Sequence, residues 1–436
     1  MPGTSSYLND NEHWAASSSQ VSACSVEPGT TKDLGKILRI LGESRTPFGV
    51  KSGGHATNPG FSSTPGVQIA LFRFNRVTYH PESQTADIGS GLIFDDVYAQ
   101  LAPYSVSVMG GRVSGIGVGG FLLGGGYSWH TNQRGLAMDT IVEYELVKPN
   151  GQVVTVNERS DSELFFGLKG IVTRFTMKTF PQGPVWGGII SYILPHISTA
   201  TEAFIKFAAN FTDPRASLIH SFAYYNGQPL LSVLLFYDDS KPPVGLFDDF
   251  LNIPSISSNV AERDYVSLIK SFPANQTSFT RGLFQGVPLI DSPPELVNTI
   301  YNESQTMGQE IFANSGVFLA HNIEPFLPTI LSHAESPTAF PPSRTKAFYP
   351  FNIYYSWTDP TADDVMFEKA RQSSARIWEA AIRGDPSIAD GTIYPNYAIA
   401  GTTLENMYGG NVDRLKALKR RVDPNNVMGL AGGFKF

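Results

Sequence analysis

The stretch GGRVSGIGVGGFLLGGGYSW occupies residues Gly110 to Trp129. Gly115, Gly117 and Gly120 satisfy G-x-G-x-x-G, and Asp139 lies near where a dinucleotide-binding fold carries its ribose-binding acid. The surroundings argue against that fold. Its loop opens a long helix, whereas here Gly124, Gly125 and Gly126 follow within a few residues, and glycine costs about 1 kcal/mol per helical position relative to alanine. Such a run instead lets backbone approach a flat or charged ligand closely and offers N–H groups to phosphate oxygens. A structural turn would explain one glycine cluster. A second, VKSGGHATNPG from Val50 to Gly60, makes a ligand cradle the better account.

Composition bounds what the cradle can belong to. With 42% hydrophobic and 16% charged residues in 436, the chain can bury large cores and divides into two or three domains. Its net charge of −7 and scattered cations leave neither a nucleic-acid footprint nor a basic membrane patch. A single cysteine, Cys24, excludes an internal disulfide and a cysteine-rich metal site. Sequons at Asn210, Asn275 and Asn302 favour a secretory route, although MPGTSSYLNDNEHW at the start lacks the apolar core of a signal peptide. The uncharged stretch Val113 to Trp129 is too glycine-rich for a transmembrane helix, so a soluble protein is expected.

Three textures follow one another along the chain. From about Cys24 to Pro181, short strand-like runs (GVQIAL, TADIGSG, IVEYELV, QVVTV) alternate with the helical patterns TTKDLGKILRILGES and FDDVYAQLAP. From about Gln182 to Ala389, longer strands (GGIISYIL, PLLSVLLFYDD, TKAFYPFNIYYSW) interleave with amphipathic helices, which predicts a broad antiparallel sheet covered by helices. The end, from about Gly391, holds one helical segment, NVDRLKALKRRVDP, stopped by Pro424. That end is too short to fold alone and must lie on another region.

SGGH at Ser52 to His55, the GIGVGG-x-x-x-GGGY run, GLAMDTIVEYELVKPNGQVV at Gly135 to Val154, and the tail's PNYA with YGGNVDRLKALKRRVDPNNV together resemble flavin oxidases of the vanillyl-alcohol oxidase type. Within that superfamily the likeness is to the berberine-bridge-enzyme-like and oligosaccharide-oxidase group. The middle of the chain matches it only in texture. The resemblance implies an α+β fold: a two-subdomain FAD-binding domain at 1–181, a substrate domain at 182–390 with a large antiparallel sheet, and a berberine-bridge-like segment at 391–436 returning to the first domain.

The same resemblance implies FAD as cofactor, touched by Ser52, Gly53, Gly54, His55 and Ala56 from one loop. Gly111, Ser114, Gly115, Gly117, Gly119, Gly120 and Gly124 would approach it from the other, and Gly170, Ile171 and Val172 from a third segment. His55 would carry a covalent link to the flavin 8α-methyl, which holds the cofactor and raises its potential while the flavin performs the redox chemistry. Many relatives add a cysteine tether where this chain has Val113, so a single link is expected. About six residues of a glycine-rich insert ending in Asn-Phe-Gly also look missing between Lys169 and Gly170, which weakens the expectation of full FAD occupancy.

Tyr397, in Asn396-Tyr397, stands where the group carries its base. Tyrosine has an unperturbed pKa near 10, so the site must lower it or couple proton loss to hydride transfer. Asp359 and Glu405 are conceivable helpers, and spacing selects neither. The expected activity is an oxidase passing hydride from a small alcohol, sugar or secondary metabolite to flavin and on to O2, in a monomer with no nucleic-acid or membrane partner. A non-catalytic flavoprotein or carbohydrate-binding relative is the alternative. His130 reads as structural or exposed, and the aromatic run Phe348 to Trp357 as either a stacking surface or half-buried sheet. No hydrolase elbow and no metal-ligand cluster is present in the sequence.

Overall fold

Thr30 starts the first amphipathic helix, Thr31–Ser44, by accepting a hydrogen bond from the Asp33 N–H, and Arg45 ends it in a left-handed conformation at φ 54°. Leu34, Leu38 and Leu41 recur at helical spacing on its buried side. They pack on Phe48 and Ile69 of a small parallel sheet ordered Cys24–Val26, Val67–Ala70, Phe48–Lys51. Val147 and Ile171 close this core from a second, antiparallel sheet ordered Val77–His80, Thr85–Gly89, Ile171–Lys178, Ile141–Val147, Val153–Val156. The glycine loops lie between these two sheets and a third. In the computed structural model, residues 2–168, 170–272 and 277–436 are described.

The third sheet is the broad antiparallel one. Its order is Ser257–Ser258, Val185–Tyr192, Gln228–Tyr237, Ala216–Tyr225, Gly316–Ile323, Tyr349–Trp357, Arg281–Leu289, with Ala261–Arg263 also on Val185–Tyr192. Helices Ile197–Asn210, Pro294–Phe312 and Asp363–Gly384 bury Phe204, Ile300, Met307 and Ile377 in one continuous core with one face of this sheet. Each such side chain contributes about 1.5–3 kcal/mol through apolar burial. The opposite face turns toward the glycine-rich half, where Ile219 and Phe236 share a core with Trp129 and Leu268.

The glycine-rich run forms only a six-residue helix, Val118–Leu123, ended at Gly124, so it does not open the long helix of a dinucleotide-binding fold. The tail touches both halves. Asn58 donates to Ala398 O at 2.8 Å and accepts from Ala400 N at 2.9 Å, and Phe48 bridges Ala431 in parallel. Arg414 and Arg421 pair with Glu163 and Asp161 of the first half. Tyr397 and Ile393 lie against Gly286 of the broad sheet. Among the described residues no helix is long and apolar enough to cross a membrane.

Two histidines are sealed under the helices. His220 stacks on Phe204 at 4.3 Å between ring centroids, and neither of its ring nitrogens has a partner. His321 lies 5.7 Å from the Phe351 ring. Burial lowers both pKa values to about 3, so both are neutral when folded. The unfolded chain takes up these protons below about pH 6.5, so stability complete above that pH is lost as pH falls toward 3, by about 1.4 kcal/mol per pH unit for each histidine. His220→Phe, which keeps the ring stack, is expected to flatten the fall in unfolding free energy between pH 6 and pH 4, measured by urea titration, by that amount relative to wild type.

Candidate functional site

The two glycine loops meet edge to edge. A Cβ on Gly53 would stand 2.4 Å from the Gly117 Cα, so glycine is required for the chains to pass. Ser52 Oγ lies in the seam, donating to Ser90 O and accepting from Gly119 N at 3.1 Å. The Ser114 hydroxyl and Gly115 N–H both donate to the Asp95 carboxylate, at 2.5 and 2.9 Å. A Cβ on Gly124 would stand 2.1 Å from Asn396 Oδ1, which places the tail's Asn-Tyr pair directly on the glycine triplet Gly124, Gly125 and Gly126.

The remaining expected cofactor contacts divide. The Gly111 carbonyl accepts from Tyr98, and nothing lies within 4 Å of where a Cβ would stand on Gly120. The Ala56 carbonyl accepts from Ser18 Oγ at 2.6 Å. Ile171 and Val172 send their side chains into two different cores, and Gly170 packs against the Val147 carbonyl, so backbone is what this segment could offer a ligand. The expected gap falls at Lys169, outside the described residues.

The His55 imidazole stacks on Trp14, with centroids 4.4 Å apart and planes 23° from parallel. Its Nδ1 is enclosed and has no hydrogen-bond partner. Burial draws its pKa down to about 4, so the ring is neutral at pH 7. From Trp14 the aromatic wall continues to Phe284 at 5.8 Å and from there to Tyr397 at 5.9 Å. The strand Tyr349–Trp357 contributes only Tyr354 to this wall, 5.4 Å from Trp14; Tyr349, Phe351, Tyr355 and Trp357 belong to the helix-covered core.

At the end of the wall, three residues remote in sequence form a closed network. Arg112 Nη2 donates to Glu324 Oε2 at 2.5 Å and to the Tyr397 hydroxyl at 3.0 Å, while that hydroxyl donates to Glu324 Oε1 at 3.0 Å. Arg112 and Glu324 are both buried. Burial, followed by the Glu324 charge, pushes the Tyr397 hydroxyl well above its ordinary range, so it is protonated at neutral pH. Burial also raises Glu324, and the Arg112 charge opposes that rise. Neither expected helper is here. Asp359 caps the turn Pro360–Ala362, and Glu405 lies 3.7 Å from Lys416 at the surface.

His130 is fully buried, set among Phe180, Phe236 and Tyr265 with Nε2 3.4 Å from Asp238, which makes it a core residue. Arg112, Glu324 and Trp14 escaped the sequence reading. Arg112 is the only charge between Gly110 and Trp129, and Glu324 the only one between Gly316 and Leu331. A lone charge in a long uncharged run was the available signal for both.

The residues present fit FAD. Ser114 and Gly115 aim their donors at one acceptor group, the Asp95 carboxyl, which fixes the turn that carries the glycines. Gly115 and Gly120 have nothing within 4 Å of where a side chain would stand, which leaves their backbone open to a flat ligand, and His55 Nδ1 is a buried polar atom left without a protein partner. Fold and site together define a flavin-dependent oxidoreductase.

Residues 22–157 match the FAD binding domain family, and residues 394–431 match the family described as berberine and berberine like. FAD-dependent monooxygenase drtC of Aspergillus calidoustus is 30% identical to this chain, over 97% of it and 84% of its own length. FAD-dependent monooxygenase sdcF of Emericella nidulans is 28% identical, over 100% and 95%. Carbohydrate oxidase from Microdochium nivale shares the fold with a TM-score of 0.79 at 18% identity, covering 99% of this chain and 96% of that one. 6-Hydroxy-D-nicotine oxidase from Arthrobacter nicotinovorans does so at 0.79 and 18%, covering 100% and 96%. The chain belongs to the FAD-linked oxidoreductases that carry a berberine-bridge-like C-terminal segment.

The Arg112–Glu324 pair carries a definite energetic expectation. Arg112→Met strands a buried carboxylate and should cost about 3–5 kcal/mol, whereas Arg112→Met with Glu324→Leu removes both charges and should cost clearly less. Urea unfolding of the two variants and wild type measures the difference.

Proposed function

We propose that this protein is an FAD-linked oxidase that dehydrogenates a hydroxyl-bearing small molecule, with Tyr397 as the proton acceptor and Glu324 as the group that relieves it. The observation that carries this reading is the closed network of Tyr397, Glu324 and Arg112. A tyrosine whose pKa is raised is not a standing base. It can still pass its own proton to Glu324 Oε1 as it receives one from a substrate hydroxyl, with Arg112 holding the carboxylate charge in place. Of the two ways a tyrosine could serve here, coupling to hydride loss is the one this environment supports.

The loop Ser52–Ala56 and the run Ser114–Gly120 would hold the cofactor through their backbone, and His55 Nδ1 would form the single covalent link. FAD, when bound, supplies the hydride acceptor and hands the electrons to O2. Residues 1–181 with the tail from 391 would form the cofactor domain, and 182–390 the substrate domain. Asn210 and Asn302 are exposed and could carry the glycans of a secretory protein; Asn275 lies outside the described residues.

The relatives named monooxygenases give the test its second arm. Holoenzyme turning over a panel of sugars and aromatic alcohols under 18O2 should yield one H2O2 per product and no labelled product. Label in the product would make the protein a monooxygenase instead. Tyr397→Phe is expected to lower turnover by about 10²–10⁴-fold at unchanged flavin content.

A further inference from the structure

Residues 9–18 are bound to the cofactor loop and to the broad sheet at the same time. Lys51 Nζ donates to Asn9 O at 2.6 Å, Trp14 N donates to Gly54 O at 2.9 Å, and Ser18 Oγ donates to Ala56 O. On the other side, Phe279 N donates to Trp14 O and Ala16 N to Thr280 O, both at 2.8 Å, while Gly282 N donates to Ser17 Oγ at 3.0 Å. The segment is thus a strap across the His55 loop, and the side chain it sets against His55 is Trp14.

We infer that Trp14 is a positioning residue for cofactor attachment, clamping the His55 imidazole in one plane so that Nδ1 is presented to the flavin 8α-methyl. Phe284 lies nearly parallel to both rings, 5.8 Å from Trp14 and 6.3 Å from His55, so rotation of the imidazole would break two stacked contacts. Nδ1 meanwhile makes no hydrogen bond that would have to be broken. A ring held in place with its buried nitrogen unpaired is pre-organised for bond formation. The inference rests on the covalent link proposed above. In that reaction the Nδ1–C8α bond forms as the methyl group and the imidazole each lose one hydrogen; O2 takes the two protons and two electrons and leaves as H2O2.

The test follows attachment itself. Protein made in riboflavin-starved cells is given FAD, and flavin that stays with the acid-precipitated protein is measured over time beside total bound flavin. Wild type should become labelled and His55→Ala should not. Trp14→Ala should attach flavin at least about ten-fold more slowly while binding as much in total, and Trp14→Phe should restore the rate by keeping a stacked ring. Should Trp14→Ala fail to fold, Trp14→Leu, which fills space without a ring face, takes its place. Attachment at the wild-type rate in the alanine or leucine variant would overturn the inference, as would a phenylalanine variant as slow as they are. Wild type with no acid-stable flavin would instead overturn the covalent link and the clamp with it.

Discussion

The contact on which the rest of this architecture depends is the buried ion pair of Arg112 and Glu324. Arg112 comes from the glycine-rich run and Glu324 from just past a central strand of the broad sheet, so the pair joins the two halves of the chain at one point. Two desolvated charges are tolerated only with good geometry and further hydrogen bonds, and Tyr397 supplies those bonds from the tail. First half, middle and tail are therefore registered against each other by three side chains. Trp129 reinforces the arrangement by donating its indole N–H to the Arg112 carbonyl, which fixes the backbone from which the guanidinium extends.

The strap formed by the first residues provides a second junction between the same halves, and the aromatic wall runs from one junction to the other. His55, Trp14, Phe284 and Tyr397 succeed one another with centroid spacings of 4.4, 5.8 and 5.9 Å. Phe284 belongs to the edge strand Arg281–Leu289, so displacement of that strand would disturb both the histidine and the tyrosine. A sheet edge used in this way is not free for pairing with another chain on the face that carries the strap.

Local pattern carried most of the fold into the sequence. The alternation in PLLSVLLFYDD and the helical spacing of Leu34, Leu38 and Leu41 answer to nearest neighbours, and strand Gln228–Tyr237 and helix Thr31–Ser44 form where those patterns lie. The glycine triplet that ends helix Val118–Leu123 was equally legible, because the cost of glycine in a helix is local. The site was legible only in part. SGGH and Asn-Tyr marked His55 and Tyr397, but the partner of Tyr397 lies 73 residues away in sequence and reaches it only because strand Gly316–Ile323 ends beside the tail. Asp359 and Glu405 are as acidic and no farther along the chain, and nothing local separates them from Glu324. Trp14 was hidden for the same reason: stacking on His55 depends on the course of a strap that has no periodicity.

The proton logic of the site follows from where the charges stop. Arg112 brings one positive charge, Glu324 one negative, and Tyr397 stays neutral, so the buried network has no net charge. A tyrosinate formed beside an ionised Glu324 would place a second negative charge in the same enclosure, and with Arg112 alone to balance two anions that state is costly. Moving the tyrosine proton onto Glu324 as another proton arrives at the hydroxyl avoids that second anion: the network gains one proton and ends with the single positive charge of Arg112. The network is therefore suited to transferring a proton and poorly suited to storing a base.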